Sequence, residues 1–554
     1  MLRRFWAAFG WERRMFWKKE NQSWSGFSRR DLFRQGSFMA AVGALGGSVR
    51  RLGAAPLEIG ANMYRSIGVR PVINARGTFT IISGSQTLPE VKRAMDEASR
   101  NYVQMDELMN GVGARLAEIT GAEWGIVTAG CCAAVTNCTA ASIAGFNPER
   151  MQKLPELTGL KNEVVIPSYS RNVYDHAVRM LGVKIVELKD KSELDTIFNE
   201  RTAMVYILAG NGDQGPLGTK AISDAARKWK VPVVVDAAAE VLTLKPNVHL
   251  ERGATAVAYS GGKCMRGPQA AGLLLGEKAW LQAAWANSAP HHAFGRSLKV
   301  GKEEIMGMLA AVEMWVKRDH DAEWKQWVAW CDQISASVKK VDGVTTRMGE
   351  PREGLSNRTP QLTIQWDGAK LGITGQEVVK LVNETEPRII LAGGNGSRPG
   401  NMASSVSVVP YMMMPSDIKI VADRLHQVLS KPPKFEDPPE PQAPSVTVAG
   451  QWTAKLEYGR GSATHSIMLE QNADKLSGTH IAEFDQGDLS GTVSGNIVKF
   501  QSRYRIQGQG LSYAFTGTVE GDKIAGTVNM GEYGETTWTA ERHKYQTFGG
   551  RRRG

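Results

Sequence analysis

Cysteines are few in this sequence, and no internal hydrophobic run is long enough to cross a membrane. The chain has five cysteines among 554 residues, an odd number, and none has the paired spacing of metal ligands. A disulfide framework and a metal site are therefore not predicted, and we expect buried free thiols. A stable membrane span is not predicted either. The hydrophobic content of 42% and the charged content of 22% are those of a globular protein.

Excess positive charge is absent from the body of the chain, although the net charge is +11. Residues 1–55 hold eleven Lys and Arg against three Asp and Glu, a net charge of +8, and Arg551, Arg552 and Arg553 supply the other three. The residues between these ends are therefore close to neutral overall. Nucleic acid is not an expected partner, because its binding relies on a basic surface.

Residues 1–55 are predicted to form a twin-arginine signal region. The pattern Ser28-Arg29-Arg30-Asp31-Leu32-Phe33 is followed by a weakly apolar run over 36–47 and by small residues at 53–55. Basic, apolar and small segments in this order are typical of a signal peptide, and the apolar run is too short to span a bilayer. We therefore expect a periplasmic or otherwise exported protein. The alternative is a basic amphipathic tail that stays on the chain.

Residues 56–430 are predicted to form one α/β domain. Short runs rich in Val and Ile alternate with longer amphipathic stretches; the predicted strands are 164–166, 184–188, 203–208 and 231–235. This alternation favours a mostly parallel sheet with helices on both faces. Helical spacing then runs from Lys302 to Val341. A small α+β portion is expected after it, up to residue 430.

Three further segments follow. Residues 431–446 are rich in proline and charge, which predicts a stiff, extended linker. Residues 447–545 contain four similar phrases, each after a turn pattern and each opening an alternating run: 476–479, 489–492, 515–518 and 524–527. Regular short strands of this kind predict an antiparallel β-barrel or sandwich, similar to small lipocalin-like or avidin-like modules. Residues 546–554 are a basic tail.

Lys263 lies in a turn suited to holding a cofactor. The sequence Tyr259-Ser260-Gly261-Gly262-Lys263 comes at the end of a β-rich run. Glycines let the backbone pass close to a phosphate, the Ser260 hydroxyl can donate to it, and a sheltered lysine loses its proton more easily. A lysine that forms a Schiff base with pyridoxal phosphate (PLP) needs these features. A solvated lysine in a surface turn is the alternative.

Two upstream features support the cofactor reading. Asp236 ends an apolar run 27 residues before Lys263. A carboxylate at the carboxyl end of a buried strand can keep the pyridine nitrogen of PLP protonated; the alternative is a helix N-cap. Residues 127–133 are a small-residue turn between a predicted strand and a helix, whose N–H groups can bind the cofactor phosphate.

In this order and spacing, the turn, Asp236 and Lys263 resemble fold-type-I PLP-dependent enzymes. The resemblance is closer to the selenocysteine synthase-like family, which includes selenium transferases and amino-sugar ammonia-lyases. It extends from about residue 63 to 429. The motifs that carry it are 68–78, 105–108, 172–177, 210–213 and 296–304. Several separate motifs in one order imply the fold and the cofactor of that family, so residues 56–430 are expected to be the catalytic domain.

The resemblance also assigns residues. It implies that Lys263 is the Schiff-base lysine, Asp236 the pyridinium partner and His176 a catalytic group near the ring; a histidine with a structural place on a helix is the alternative. The residues that it places at the cofactor are Thr128, Gly130, Cys131, Cys132, Asp236, Ser260 and Lys263. Those that it places at the substrate are Asn74, Thr78, Arg296 and Lys299, the last two being solvated helix charges otherwise. A homodimer or larger homo-oligomer is expected.

The predicted function is that of a PLP-dependent lyase. A small-molecule amine, either an amino acid or an amino sugar, would lose its α-proton to Lys263 and then a β-substituent or ammonia; racemisation and transamination share the early steps. Selenium or sulfur transfer is the first alternative, disfavoured because Ser85 stands where selenium transferases carry an arginine and because an exported protein would not meet a charged tRNA. A non-catalytic exported binding protein is the second, disfavoured because both Lys263 and Asp236 are present.

Overall fold

A computed structural model describes residues 57–210, 212–349, 354–398, 400–437 and 439–544. The predicted export signal and basic tail lie outside these residues. The chain divides into two compact units, Met1–Pro71 and Val72–Gly554. The described part of the first unit contains a short helix, α1 (Met63–Ser66). No helix in the described ranges is both long enough and apolar enough to pass through a membrane.

The second unit begins with β1 (Ile73–Ala75) and is built around a sheet of seven strands. These are β2 (Trp124–Thr128), β3 (Glu163–Pro167), β4 (Lys184–Leu188), β5 (Thr202–Leu208), β6 (Val233–Asp236), β7 (Ala256–Ser260) and β8 (Gly272–Gly276). Their order is β2-β8-β7-β6-β5-β3-β4, and all pairs are parallel except the two made by β8. The strands are continuous apolar runs because helices cover both faces of a parallel sheet. The predicted mostly parallel α/β sheet is confirmed.

The helices of this part connect and cover the strands. They are α2 (Pro89–Ser99), α3 (Met105–Thr120), α4 (Gly130–Ala144), α5 (Pro148–Lys153), α6 (His176–Arg179), α7 (Thr219–Lys228), α8 (Val248–Glu251), α9 (Lys278–Ala286) and α10 (Lys302–Lys317). Helix α4 has twelve buried residues, mostly small, which lets it lie directly against the sheet. The start of α4 is therefore fixed by the core and not by solvent-facing loops.

A smaller α+β portion follows α10, as predicted. Its strands are β9 (Thr345–Gly349), β10 (Gln361–Asp367), β11 (Ile389–Leu391), β12 (Gly393–Asn395) and β13 (Ala403–Val408), and its helices are α11 (His320–Val338), α12 (Gly368–Leu371), α13 (Gly375–Glu384) and α14 (Asp417–Ser430). Four strands form an antiparallel sheet in the order β12-β13-β10-β9, and β1 pairs in parallel with β11. The pairing of β1 brings residues 73–75 to this portion. A second hydrophobic core lies here.

The C-terminal module is a closed antiparallel barrel of eight strands. They are β14 (Gly450–Glu457), β15 (Ser462–Asn472), β16 (Lys475–Ile481), β17 (Gln486–Ser494), β18 (Ile497–Ile506), β19 (Gln509–Glu520), β20 (Lys523–Asn529) and β21 (Glu535–Arg542). Each pairs with the next, and β21 pairs with β14 to close the barrel. Side chains alternate between the interior, where Trp452 and Trp538 are buried, and solvent. Of the two predicted forms, barrel and sandwich, the structure has the barrel.

The repeated phrases of the module owe their glycines to close strand packing. A Cβ atom at Gly478 would lie 1.9 Å from the Met468 carbonyl oxygen, and one at Gly526 would lie 1.9 Å from that of Thr516. Neither position has room for a side chain. The recurring Ser/Thr/Ala-Gly-Thr pattern is thus a packing requirement of the barrel wall.

Candidate active site

The turn between β2 and α4 has the geometry of an anion-binding site. Gly130 begins α4 at a φ of +85°, in the left-handed region that favours glycine. The buried Thr128 hydroxyl donates to the Gly130 carbonyl at 2.9 Å. Ala129 is the N-cap residue and gives the first turn no side-chain hydrogen bond. The N–H groups at this helix end are therefore left for a ligand, and the helix dipole favours a negatively charged one.

Strand β8 lies so close to this turn that only glycine fits at position 272. A Cβ atom there would be 2.5 Å from the carbonyl carbon of Gly130 and 2.8 Å from the backbone nitrogen of Cys131. A Cβ atom at Gly130, in contrast, would meet no heavy atom within 4 Å. The turn is supported from the sheet and has space on its other side, as a phosphate-binding loop requires.

Asp236 ends β6 and is nearly fully buried, with 4% of its surface exposed. Its Oδ2 accepts a hydrogen bond from the Tyr206 hydroxyl at 2.8 Å. Its Oδ1 accepts one from the Ala238 N–H at 3.0 Å and one from Cys131 Sγ at 3.3 Å. The bond from Ala238 belongs to a turn and not to a helix cap. These three donors are neutral, so a cation such as a protonated pyridine nitrogen fits this carboxylate.

The two side chains that donate to Asp236 keep their protons. Burial, and after it the negative charge of Asp236, raises the pKa of Cys131 and of Tyr206 well above the usual values. Both groups therefore remain neutral donors at physiological pH. They fix the orientation of the carboxylate without cancelling its charge.

Lys263 is half-buried in the turn between β7 and β8. A hydrogen bond of 2.8 Å from the Gly261 N–H to the Ala271 carbonyl closes this turn. Lys263 is near enough to α4 to affect the Cys132 thiol: burial raises the pKa of Cys132, the charge of Asp236 raises it further, and the charge of Lys263 lowers it. The structure thus brings Lys263, Asp236 and the start of α4 together.

Gln269 joins the lysine turn to the segment that contains Ser85. Its side-chain amide donates to the backbone carbonyl and to Oγ of Ser85, both at 2.9 Å, and to the Gly262 carbonyl at 3.3 Å. Ser85 therefore lies beside the residue that precedes Lys263. An uncharged side chain occupies the position at which selenium transferases were expected to carry an arginine.

Asn74, predicted at the substrate, makes hydrogen bonds within the N-terminal loop, and Thr78, also predicted there, makes one to Tyr411. Asn74 Oδ1 accepts from the N–H groups of Arg76 and Gly77 at 3.0 and 2.9 Å. Thr78 Oγ1 lies 3.0 Å from the Tyr411 hydroxyl, with either group as donor. These bonds shape the loop, and substrate binding by the two residues stays a prediction.

The remaining predicted residues lie on nearby segments. Ser260 is half-buried and is the last residue of β7. His176 is exposed and begins α6. Arg296 and Lys299 are exposed in the loop before α10. The roles assigned to these four residues stay predictions.

Two tyrosines at the site were not predicted. Tyr206 lies inside the apolar run of β5, where an aromatic residue normally indicates core packing. Tyr174 lies in the 172–177 motif and is half-exposed, and its pKa is raised, first by burial and then by the charges of Cys132 and Asp236. The motif could have identified Tyr174, but nothing in the sequence distinguishes Tyr206 from a core residue.

These residues fit PLP and not a metal centre. The uncapped end of α4 suits a phosphate, the neutral donors around Asp236 leave it able to bind a ring cation, and Lys263 supplies an amine. The five cysteines are free thiols, of which Cys131, Cys138 and Cys331 are buried. Within the described ranges, His, Cys, Asp and Glu side chains do not gather in a group of three that could hold a metal ion.

Comparisons with known proteins agree with the site. No family model matches the chain. A D-glucosaminate-6-phosphate ammonia lyase of Salmonella typhimurium is 29% identical over 329 residues, 57% of this chain and 85% of the relative. A 5'-C-glycyluridine monooxygenase-decarboxylase of a Streptomyces species is 28% identical over 355 residues, 62% of this chain and 86% of the relative. A solved structure of D-glucosaminate-6-phosphate ammonia-lyase has a TM-score of 0.59 and 25% identity, over 66% of this chain and 98% of that one.

Fold, site and comparisons define a fold-type-I PLP-dependent enzyme of the lyase and transferase class. The predicted cofactor and the prediction of an enzyme are thereby confirmed. Within that class, the chain is similar to the selenocysteine synthase-like family.

Proposed function

We propose that this enzyme is a lyase that binds PLP through Lys263 and eliminates ammonia or a β-substituent from an amino acid or amino sugar. The observation that carries the proposal is the grouping of Lys263, the buried Asp236 and the uncapped start of α4. The ammonia-lyase activity of the Salmonella typhimurium relative supports the reaction, since the similarity covers 85% of that relative.

Each residue of the group has a distinct part in this proposal. PLP supplies an electron sink for the carbon that loses its proton. Asp236, held by Tyr206 and Cys131, keeps a negative charge at the ring nitrogen. The first-turn N–H groups of α4 hold the phosphate. Lys263 Nζ takes the α-proton from the substrate.

The environment of Ser85 favours elimination over selenium transfer. Gln269 ties the Ser85 backbone and hydroxyl to the lysine turn by neutral hydrogen bonds. A selenium donor such as selenophosphate is an anion and requires a cation near the lysine. A neutral serine fixed in that place gives such a donor no charge to bind, so transfer is the weaker candidate.

The test is reduction with borohydride followed by peptide mass analysis. The full-chain protein with PLP should show a near-visible absorbance band that borohydride removes, leaving the cofactor mass on the Lys263 peptide. Lys263→Ala should lose the label and lower turnover by several orders of magnitude. The control is Lys340→Ala, an exposed lysine after α11, which should keep both.

Three results would contradict the proposal. A label on another lysine, or a wild-type protein that takes up no PLP, would remove Lys263 from the chemistry. Where Lys263 carries the label, amino acids and amino sugars are screened for release of ammonia and of a 2-oxo product. Label on Lys263 with transfer of sulfide or selenide, and without ammonia release, would replace the lyase by the transferase.

A further inference from the structure

The C-terminal barrel touches the catalytic domain through the turn between β18 and β19. This turn is Gln507-Gly508, and Gln507 has a φ of +55°. Arg171 Nη2 donates to the Gln507 side-chain oxygen at 3.0 Å. Gly508 is buried, and a Cβ atom on it would lie 1.9 Å from the Asn172 carbonyl oxygen and 2.7 Å from Asp175 Oδ2. The barrel backbone is therefore seated directly on residues 171–175.

Residues 171–175 are a rigid platform for this contact. Arg171 Nε donates to Asp175 Oδ2 at 2.7 Å, and Arg179 Nε donates to Asp175 Oδ1 at 2.9 Å. Asp175 is completely buried, and the Arg171 side chain is 8% exposed. Arg171 also pairs with Glu187 at the end of the sheet. A buried ion group of this kind holds its members in one geometry, so the barrel meets a surface that is already formed.

The platform is also a neighbour of the cofactor site. Asn172, on which Gly508 rests, donates through its side-chain amide to the Ser170 carbonyl at 2.6 Å. The Ser170 hydroxyl accepts a hydrogen bond of 2.9 Å from the N–H of Leu208, the residue of β5 that pairs with Asp236. Tyr174 lies between the two parts of the protein: Cys132 and Asp236 act on its pKa from the site, and Glu532 acts on it from the barrel turn between β20 and β21. A short series of hydrogen-bonded residues thus links the barrel turn to the strand end that carries Asp236.

The same end of the barrel presents large exposed side chains. In an up-and-down barrel the turns at 458–461, 482–485, 507–508 and 530–534 share one end. Phe484 and Tyr533 on two of these turns are 80% and 57% exposed. A third of this chain has no counterpart in the solved ammonia-lyase, which is matched over 98% of its length. The barrel end is therefore an addition that this chain places beside its site.

We propose that the barrel end forms a wall of the active-site entrance and restricts which amines reach Lys263. Gly508 allows the barrel turn to contact residues 171–175 closely, because any side chain there would collide with the Asn172 backbone. The hydrogen bond from Arg171 to Gln507 fixes the position of the barrel end on these residues. This inference rests on the proposed function, because the entrance is defined by the cofactor at Lys263.

The test compares Gly508→Leu with Gly510→Leu in the full chain. Both glycines lie at the same hairpin, but a Cβ at Gly510 would meet no atom within 4 Å. Two quantities are measured: hydrogen exchange of residues 170–176, and the rate at which a bulky hydroxylamine derivative releases PLP from the protein. Gly508→Leu should raise both by about tenfold, the change expected when a steric clash opens a docked contact. Gly510→Leu should match the wild type.

Gln507→Ala is the milder variant in case the leucine prevents folding. It removes one hydrogen bond and should raise both quantities by a few-fold, in the same direction. Equal values in Gly508→Leu, Gln507→Ala and wild type would overturn the inference. Faster exchange with unchanged PLP release would overturn the wall, though not the contact. A wild-type protein without PLP fails the proposed function instead, and the contact is then judged on hydrogen exchange alone.

Discussion

The barrel interior contains a histidine pair whose protonation should cost stability in mild acid. His480 is fully buried; its Nε2 lies 2.8 Å from His465 Nδ1, and its Nδ1 lies 2.6 Å from Ser502 Oγ. Its ring contacts include Tyr504 and Tyr513. Burial, and after it the charge on His465, lowers the pKa of His480 from 6.5 to about 3. The folded barrel therefore keeps this ring neutral where an exposed ring would take up a proton.

The sign and size of the effect follow from linkage. The unfolded chain binds a proton at His480 below pH 6.5, whereas the folded chain does not bind it until about pH 3. The unfolded state is therefore favoured increasingly as the pH falls through this window. Between about pH 7 and about pH 5 the free energy of unfolding should fall by about 2 kcal/mol for this one group.

Urea unfolding with pulsed hydrogen exchange isolates the barrel. The protein is equilibrated in urea at each pH, labelled briefly at a common pH, and the peptides over 475–506 are analysed by mass. His480→Asn keeps a side chain that can hydrogen-bond but removes the titrating group. The free energy of unfolding of this variant should therefore fall by about 2 kcal/mol less than that of the wild type between the two pH values. His292→Asn, at an exposed histidine, is the control. Equal falls in wild type and His480→Asn would refute the reasoning.

Two further predictions concern the cofactor site. Gly272→Ala should lower the free energy of unfolding by about 1–3 kcal/mol and weaken PLP binding, because its Cβ would press on Gly130. The control is Gly111→Ala on the exposed face of α3, which should raise the free energy of unfolding by about 0.5–1 kcal/mol. Thermal unfolding and PLP titration measure the two effects. Tyr206→Phe should weaken PLP binding by about tenfold through loss of a hydrogen bond to Asp236, and an unchanged affinity in the titration would remove Tyr206 from the site.

Much of the fold was predictable because local pattern and tertiary environment agree. The apolar run predicted as a strand at 203–208 forms β5 (Thr202–Leu208), since a strand covered on both faces needs an unbroken apolar sequence. The choice between barrel and sandwich was not predictable. It depends on the pairing of β14 with β21, which are far apart in sequence, and alternation within each strand is the same in both architectures.

The candidate site was predictable in its chain-local parts. The turn at 128–130, Asp236 and Lys263 each lie at or just after the end of a strand, and the structure brings these strand ends together. Tyr206 was missed because it reaches Asp236 from a neighbouring strand, a relation set by strand order and not by spacing. The contact of Gln507 with Arg171 spans 336 residues of chain. No periodicity or motif encodes a contact between two parts so far apart in sequence.

Closure of the C-terminal barrel reduces the risk that copies of this chain aggregate at high concentration. Each of the eight strands has a neighbour on either side, so the backbone N–H and C=O groups of these strands form their hydrogen bonds within the barrel. An open sheet would present a row of unpaired groups on which another molecule could add a strand and start a fibril. The closed form lets an enzyme carry about a hundred residues of β-structure at its end without that risk. Substitutions in the turns of the barrel can then accumulate while the pairing of its strands is kept.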